Sequence, residues 1–185
     1  MKVEPSAGLE GHFAVPGDKS ISHRSLLLGA ISDGETFVRG FGRSGDTEST
    51  LAAVRALGAA VDDDGETLTV HGIGLRGLQS ATIDCGNAGT LARLVTGLLA
   101  FQDGTFTLTG DESLSTRPME RIAEPLRRMG AQIETTDGRL PLTITGAPLT
   151  AIDYELPVAS AQVKSAILLA GLGAEGRTTV IEPHP

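Results

Sequence analysis

The sequence predicts an α/β fold that is assembled from a repeated unit of helices and strands. Three glycine-led strand segments, GETFVRG, GTFTLTG and GRTTVIE, begin at Gly34, Gly104 and Gly176, at spacings of 70 and 72 residues. A second series repeats independently, since LAAVRALGAAV ends at Val61 and AEPLRRMGAQI ends 72 residues later at Ile133. Agreement of two series on one period indicates internal repeats.

Each repeated unit is predicted to contain a helix, a strand, a second helix and a two-stranded hairpin. In the second helix of the first unit, Leu51, Val54 and Leu57 recur at helical spacing. Gly58 follows them, and Gly130 occupies the equivalent place in the second unit, where a glycine commonly ends a helix. Packing of such units around a shared helical core is the expected arrangement.

Polar hairpins close the first and second units, and each contains an Asp-Gly turn signal. The turns are Asp64-Gly65 in DDDGETLTVHG and Asp137-Gly138 in ETTDGRLPLTITG. Such dipeptides between β-rich runs are typical of two-stranded hairpins.

The third unit is incomplete in this sequence. It stops at Pro185, just after its glycine-led strand, so its second helix and hairpin are expected in a continuation of the chain. The three units span about residues 19–82, 83–147 and 148–185.

Composition and charge indicate a globular protein and exclude several classes of function. Hydrophobic residues make up 40% and charged residues 21% of the 185 residues. The formal net charge of −8 argues against a general nucleic-acid or anionic-membrane surface, although small anions respond to local cations. Cys85 is the single cysteine, which excludes an internal disulfide, and no signal peptide or bilayer-spanning apolar run is visible. We expect a cytoplasmic protein.

The first helix of each unit is predicted to begin with small polar residues and to carry a cation four positions later, on the same face. Free N–H groups and the helix dipole make a helix N-terminus suited to anions. If the repeats bring the three ends together, they form a cradle for phosphates or carboxylates. Small residues also cap helices that bind nothing, so this feature alone leaves both interpretations open. The pairs are Ser20 with Arg24, Gly89 with Arg93, and Ser160 with Lys164.

Four segments carry a specific resemblance to a known family. PGDKSISHR, GNAGTLARL, STRPM and PVASAQVKSAILLAGL begin at Pro16, Gly86, Ser115 and Pro157. They resemble motifs of the EPSP synthases (3-phosphoshikimate 1-carboxyvinyltransferases), in the family's order. The resemblance implies an inside-out α/β barrel-type fold of two domains, each with three βαβαββ units. It also implies that shikimate 3-phosphate and phosphoenolpyruvate are joined as an enolpyruvyl ether with loss of phosphate, without a metal, nucleotide or organic cofactor.

The resemblance further implies how this chain relates to a complete enzyme. Residues 1–18 are expected to be a strand or crossing segment that belongs with the absent second domain, and residues 19–185 an incomplete shikimate-3-phosphate-binding domain. The acid/base carboxylates and a further lysine of the family lie in that second domain. We therefore expect residues 1–185 to be inactive alone. The complete enzyme is expected to be monomeric and to act on two small molecules, with no nucleic-acid or membrane partner.

Carried over residue by residue, the family's shikimate-3-phosphate ligands match residues of the first and last motifs. Lys19 also matches a residue that reaches phosphoenolpyruvate. It is the expected catalytic residue, because a cation between two anions can stabilise charge in the transition state. Ala161 stands where some members have a second serine, so its contribution must come from its backbone N–H. The matching residues are Lys19, Ser20, Arg24, Ser160, Ala161 and Gln162.

The phosphoenolpyruvate ligands of the family match Lys19, Gly89, Arg117 and Gln162. Gly89 resembles a position where backbone approaches this substrate, which the missing Cβ permits. The planar guanidinium of Arg117 suits a carboxylate or a phosphate. By resemblance, the herbicide glyphosate occupies the same site and extends further than the substrate, so Gly89 predicts sensitivity to it.

Several other residues near the motifs are interpreted as structural. Leu94 departs from the proline of some members, Lys164 is interpreted as a surface or packing lysine, and Cys85 as a small buried apolar residue. His12 and His23 have no partner spacing that marks a metal site or a catalytic triad, and no metal ligand is predicted.

Two alternatives remain open at this point. One is a stand-alone anion-binding domain without catalysis. The other is a relative of UDP-N-acetylglucosamine enolpyruvyl transferase, which shares the fold but normally carries a reactive loop cysteine that Cys85 does not match. A P-loop nucleotide enzyme is excluded, because GDKS lacks the G-x-x-x-x-G-K-[ST] spacing.

Overall fold

A computed structural model describes residues 2, 4, 5, 8 and 10–183 of the chain. The helices and strands of these residues confirm the predicted α/β class. One helix, α4, is only 4 residues long, too short for hydrophobic periodicity to predict. The helices are α1 (Lys19–Ala30), α2 (Gly45–Ala56), α3 (Gly89–Leu99), α4 (Glu112–Ser115), α5 (Glu120–Arg128) and α6 (Ala161–Gly171).

The strands form two larger sheets and two short parallel pairs. A three-stranded sheet has the order β1-β3-β2 and contains β1 (Asp33–Arg39), β2 (Val61–Asp63) and β3 (Thr67–Ile73). A four-stranded sheet has the order β4-β5-β7-β6 and contains β4 (Thr82–Asp84), β5 (Thr105–Thr109), β6 (Gln132–Thr136) and β7 (Arg139–Thr145). The parallel pairs are β8 (Leu149–Thr150) with β10 (Ala174–Glu175), and β9 (Asp153–Glu155) with β11 (Thr179–Ile181).

The predicted order of elements recurs along the chain. In the first two units a helix, a glycine-led strand and a second helix precede an antiparallel hairpin, which is β2–β3 or β6–β7. The glycines that lead β1, β5 and β11 share one backbone feature. Gly34, Gly104 and Gly176 have φ angles of 99°, 139° and 102°, a conformation that favours glycine. The repeat is therefore visible in backbone geometry as well as in sequence.

The predicted glycine ends of the second helices are confirmed. Gly58 has a φ of 100°, and the N–H of Ala59 donates to the carbonyl of Val54 at 3.1 Å. This bond closes the last turn of α2 in the geometry of a Schellman motif. The same arrangement recurs at the end of α5 around Gly130, whose φ is 108°.

The two predicted Asp-Gly turns are also confirmed. Asp137 and Gly138 join β6 to β7 with φ angles of 51° and 75°, and positive φ at both central residues is what a tight type I′ hairpin turn requires. In the β2–β3 turn, the Asp64 carboxylate accepts hydrogen bonds from the N–H groups of Glu66 and Thr67 at 2.9 and 2.7 Å. These local bonds fix the turn and hence the register of the hairpin.

Helix α3 lies in the centre of the hydrophobic core. Leu91, Leu94 and Val95 are completely buried, and α3 contacts α1, α2, α5 and α6. A Cβ on Gly97 would overlap the backbone carbonyl of Ala166, so this glycine lets the backbones of α3 and α6 approach closely. Leu94, which replaces the proline of some members, is thus a core residue. The predicted shared helical core is present, whereas a closed inside-out barrel stays a prediction.

The segment before α1 contains no regular structure in the part that the structure describes, since residues 10–18 form neither helix nor strand. The assignment of residues 1–18 to a crossing segment, and the exact unit boundaries, stay predictions. Parts of these ranges, residues 1, 3, 6, 7, 9, 184 and 185, lie outside the described residues. Among the described residues, no helix combines the length and the apolar character needed to cross a membrane.

Candidate anion-binding site

Contacts between helices bring the first two turns of α6 close to the first turn of α3 and the second turn of α1. In α6, Gln162 donates from Nε2 to Oγ1 of Thr90 in α3 at 3.2 Å. In α1, Arg24 donates from Nη2 to Oγ of Ser165 in α6 at 2.8 Å. Thr90 and Gln162 are each the second residue of their helix and lie 72 residues apart, so their contact joins equivalent places in successive units.

The predicted small-residue pairs occupy different positions relative to the helix starts. Asp18 caps α1 and Ser160 caps α6, whereas no side chain caps α3 among the described residues. Ser20 therefore lies inside α1 as its second residue, while Ser160 precedes α6. At the uncapped N-terminus of α3, the N–H of Gly89 donates to the carbonyl of Asn87 at 2.8 Å, and the N–H groups of the next residues in the first turn suit an anion. The first helical residues are Lys19, Gly89 and Ala161.

Lys19 lies at this end of α1 and is already ion-paired. Its Nζ is 2.9 Å from a carboxylate oxygen of Asp46, and 55% of the lysine side chain is exposed. Asp46 lies in the first turn of α2, which begins with a capping box made by Ser44 and Thr47. The motifs did not mark Asp46 because it lies outside them, 27 residues from Lys19. An acidic first turn in a predicted helix was the only signal that could have found it.

Arg24 is held by uncharged groups. Besides its bond to Ser165, its Nη1 donates to the backbone carbonyl of Ser20 at 3.1 Å. Within the described part of the chain it forms no ion pair with a carboxylate. Its positive charge is therefore fixed in place between α1 and α6 and remains available to an anion.

Three arginines surround the start of α3. Arg93 is 5% exposed, and its Nη1 donates to the carbonyl of Gly89 at 3.1 Å, while its Nε has no partner in the described structure. Burial lowers the pKa of Arg93 to about 10, and the charges of Arg121 and Arg117 act in the same direction. A Cβ on Gly89 would lie 2.6 Å from Nη1 of Arg93 and 3.1 Å from Nη1 of Arg117. Gly89 thus lies directly beside two guanidinium groups, as an anion site requires.

Arg117 lies between α4 and α5, and polar side chains hold it. Its Nη2 donates to Oδ1 of Asn87 at 2.6 Å and to Oγ of Ser113 at 3.2 Å. The amide nitrogen of Asn87 donates to Oδ2 of Asp111 at 2.7 Å. Sequence motifs indicated Arg117 and Asn87, but not Asp111 or the exposed Arg121.

The residues interpreted as structural have internal explanations in the fold. Lys164 is 2.8 Å from Glu182. His23 is buried with Nδ1 2.6 Å from Oγ1 of Thr50, and burial lowers its pKa. Cys85 is fully buried, and burial raises the pKa of its thiol to about 12, so this thiol is not set up as a nucleophile.

No group of three or more His, Cys, Asp or Glu side chains with the geometry to hold a metal ion occurs among the described residues. His12 is exposed in the segment before α1. The groups that converge at the helix starts are instead cations, hydroxyls, an amide and backbone N–H donors, which are the ligands of phosphates and carboxylates.

The sequence model described as EPSP synthase (3-phosphoshikimate 1-carboxyvinyltransferase) matches residues 3–185. The chain belongs to the EPSP synthase family. Two relatives named 3-phosphoshikimate 1-carboxyvinyltransferase, from Geobacter metallireducens and Geobacter sulfurreducens, are 57% and 58% identical to it. The alignments cover 98% and 100% of this chain, but 43% and 44% of those proteins. The chain therefore spans less than half the length of these relatives.

Solved structures show the same likeness in three dimensions. An EPSP synthase from Acinetobacter baumannii superposes with a TM-score of 0.91 and 52% sequence identity. The match covers 95% of this chain and 41% of that one. The predicted family and the α/β fold class are thus confirmed.

Proposed function

We propose that this chain forms one wall of the active site of a 3-phosphoshikimate 1-carboxyvinyltransferase. The complete enzyme would transfer the enolpyruvyl group of phosphoenolpyruvate to shikimate 3-phosphate and release phosphate, in chorismate and aromatic amino-acid biosynthesis. One observation carries the proposal. In a member of this family, three helix starts lie near Arg24, Arg93 and Arg117, which form no ion pair with a carboxylate of the described residues.

The first turns of α1 and α6 are the proposed site for shikimate 3-phosphate. Arg24 reaches from α1 to α6, so its charge lies between the starts of the two helices. Hydroxyl and N–H donors from the same turns complete a set of groups suited to a phosphate and to ring hydroxyls. The proposed ligands are Lys19, Ser20, Arg24, Ser160, the backbone N–H of Ala161, and Gln162.

Phosphoenolpyruvate is proposed to bind at the start of α3, against Gly89 and Arg117. The missing side chain of Gly89 lets Nη1 of Arg93 and Nη1 of Arg117 lie close to the backbone at the start of α3, so both donors are near the proposed position of the anion. Lys19 and Gln162 are proposed to lie at the border of the two substrates. The bond from Gln162 to Thr90 supports this position, because it places the amide between α6 and α3.

The residues of this chain can supply electrostatic stabilisation for the transfer. As the C–O bond to phosphate breaks and the new ether bond forms, negative charge develops on the departing phosphate. Arg117 and Arg24 are fixed by hydrogen bonds before any ligand arrives, so they need little reorganisation to stabilise that charge. Lys19 is the proposed catalytic residue, and it must exchange its Asp46 partner for substrate oxygens.

Partners and location follow from the same proposal. The ligands are two small anions, and no metal, organic cofactor, nucleic acid or membrane surface takes part. The net charge of −8 argues against a broad surface for polyanions, whereas small anions can still bind at a local cationic site. The complete enzyme is proposed to be a cytoplasmic monomer in which a second domain supplies the acid/base groups.

Product formation by the complete protein and by residues 1–185 tests the proposal. We expect the complete protein to form the enolpyruvyl ether and phosphate in equal amounts, measured by chromatography and a phosphate assay. Residues 1–185 alone should form neither, because catalysis needs groups positioned on both sides of the reacting carbon. Substrate binding without product in the complete protein would favour the non-catalytic alternative. Product from residues 1–185 alone would contradict the need for a second domain.

A further inference from the structure

The two carboxylate oxygens of Asp111 accept hydrogen bonds from two different loops. Oδ1 accepts the N–H of Leu114 at 2.7 Å and so caps α4, while Oδ2 accepts the side-chain amide of Asn87 at 2.7 Å. Asn87 follows β4 and Asp111 follows β5, and these neighbouring strands run parallel. The contact therefore ties together two loops that leave the same edge of the four-stranded sheet. The bonds from Leu114 and Asn87 hold the pKa of Asp111 below its ordinary value, so the side chain is a carboxylate at neutral pH.

The charge of Asp111 determines which way the Asn87 amide faces. A carboxylate can only accept hydrogen bonds, so Asn87 must present its Nδ2 to Asp111. Its Oδ1 then faces Arg117, whose Nη2 donates to it at 2.6 Å. The opposite amide orientation would set two donors against each other at Arg117 and leave that guanidinium without its shortest hydrogen bond.

The hydrogen bonds from Asp111 through Asn87 to Arg117 also determine which N–H donors of Arg117 remain free. Nη2 carries two hydrogens, and it donates to both Asn87 and Ser113. Nη1 has no hydrogen-bond partner in the part of the chain that the structure describes, and it lies beside Gly89, where a Cβ would be 3.1 Å away. The guanidinium is thus turned so that its unoccupied edge faces the start of α3.

We propose that Asp111 is a positioning residue, which orients Arg117 toward phosphoenolpyruvate by fixing the amide of Asn87. The inference rests on the proposed function, because it assigns a role within the phosphoenolpyruvate site. Asp111 itself does not touch the substrate. It acts on one substrate only, since its contacts lead to Arg117 and not to the turns of α1 and α6.

Asp111→Asn in the complete enzyme separates this role from helix capping. Asparagine caps helices about as well as aspartate, so α4 keeps its cap. The new amide nitrogen, however, faces Asn87 and forces its amide to turn, which sets a donor against Arg117. We expect the KM for phosphoenolpyruvate to rise about tenfold, as for the loss of one charged hydrogen bond. The KM for shikimate 3-phosphate should change less than about twofold, with an unchanged melting temperature.

A double variant distinguishes the positioning role of Asp111 from its role in capping α4. With Asn87→Asp added to Asp111→Asn, the new carboxylate can accept from both the new amide and Arg117, so the donor–acceptor order is restored. The KM for phosphoenolpyruvate of this double variant should lie at least about threefold below that of Asn87→Asp alone, in which two carboxylates face each other. Asp64→Asn is the matched control, since Asp64 also accepts backbone N–H groups but lies in the β2–β3 turn; it should leave both KM values unchanged.

The possible outcomes distinguish this proposal from the function on which it rests. An unchanged KM for phosphoenolpyruvate in Asp111→Asn, in an otherwise active enzyme, would overturn the positioning role alone. Equal changes in both KM values, a large drop in melting temperature, or no rescue in the double variant would assign Asp111 a structural role instead. Failure of the unsubstituted complete enzyme to form product would overturn both proposals.

Discussion

Lys19, on the α1 side of the candidate site, and the arginines around the start of α3 hold their charges in different ways. On the α1 side, Lys19 is paired with Asp46 at 2.9 Å. Around the start of α3, no ion pair joins Arg93, Arg117 or Arg121 to a carboxylate within the described residues, and their charges repel one another. An anion must therefore compete with an internal partner at Lys19, whereas around the start of α3 it would relieve the repulsion that Arg121 and Arg117 exert on Arg93. We infer that the arginines around α3 contribute more to ligand affinity than Lys19 does.

The largest effect is expected from Arg117→Ala in the complete enzyme. Removing an oriented, unneutralised guanidinium should lower kcat/KM for phosphoenolpyruvate by about 100-fold or more. Steady-state kinetics with each substrate varied in turn measure this effect. Arg139→Ala, which removes an exposed arginine from β7, is the matched control and should change kcat/KM less than about twofold. A loss smaller than about fivefold for Arg117→Ala would contradict the inferred difference between the two sides.

An intermediate effect is expected from Gly89→Ala. The added methyl group would meet Nη1 of Arg93 at 2.6 Å and Nη1 of Arg117 at 3.1 Å. The tighter overlap is with the buried Arg93, so both guanidinium groups must shift, and overpacking of this kind costs ~1–3 kcal/mol. Glyphosate, the longer ligand, should lose more affinity than phosphoenolpyruvate. Paired inhibition and substrate constants test this, and equal weakening of both ligands would show that Gly89 does not discriminate by length.

The smallest effect is expected from Asp46→Asn, which should strengthen ligand binding instead of weakening it. Lys19 would lose its internal partner, so shikimate 3-phosphate would no longer have to displace a carboxylate. Because the lysine side chain is 55% exposed, the pair is weak, and binding should tighten by only about two- to fivefold. Calorimetric titration of the complete enzyme measures the change. Asp103→Asn, in an exposed loop, serves as the control. Weaker binding in Asp46→Asn would show that Asp46 orients Lys19 rather than competing for it.

Local patterns in the sequence were sufficient to predict the repeated elements. The helix-ending glycine at Gly58 and the turn at Asp137-Gly138 depend on backbone conformations that few residues other than glycine, asparagine and aspartate adopt. Such residues therefore indicate structure at the position where they occur. Helix α4 escaped prediction because one turn has no periodicity to detect.

Contacts between distant segments were harder to predict. The motifs drew attention to Lys19, Arg24 and Arg117. The structure places Lys19 at the start of α1, Arg24 between α1 and α6, and Arg117 beside the start of α3. Asp46 and Asp111 were missed, because each acts through a partner 27 or 24 residues away in sequence. Only the packing of one element against another shows that such an acid faces a particular lysine or amide.

The residue at which each of the three helices begins was also not predictable from the sequence motifs. Ser20 and Ser160 look alike in a pattern of small residues followed by a cation, yet one lies inside its helix and the other precedes it. The difference arises because Asp18 is available to cap α1, which moves the start of that helix. Neighbouring residues compete to cap a helix, and this competition decides where the helix begins. A comparison of motifs does not show which residue becomes the cap.

Gly97 allows α3 and α6 to pack closely, and this packing holds the starts of the two helices together. It lies about two turns along the helix from Thr90, and its lack of a side chain lets α3 lie against the backbone of α6. Any larger residue there would act as a wedge, and the two helix starts joined by Thr90 and Gln162 would spread apart. Inherited variation at this position should therefore be severely restricted, although it lies about two turns away from the proposed binding residues of α3. A loss of ligand affinity there would be mechanical in origin and would not be repaired by restoring charge.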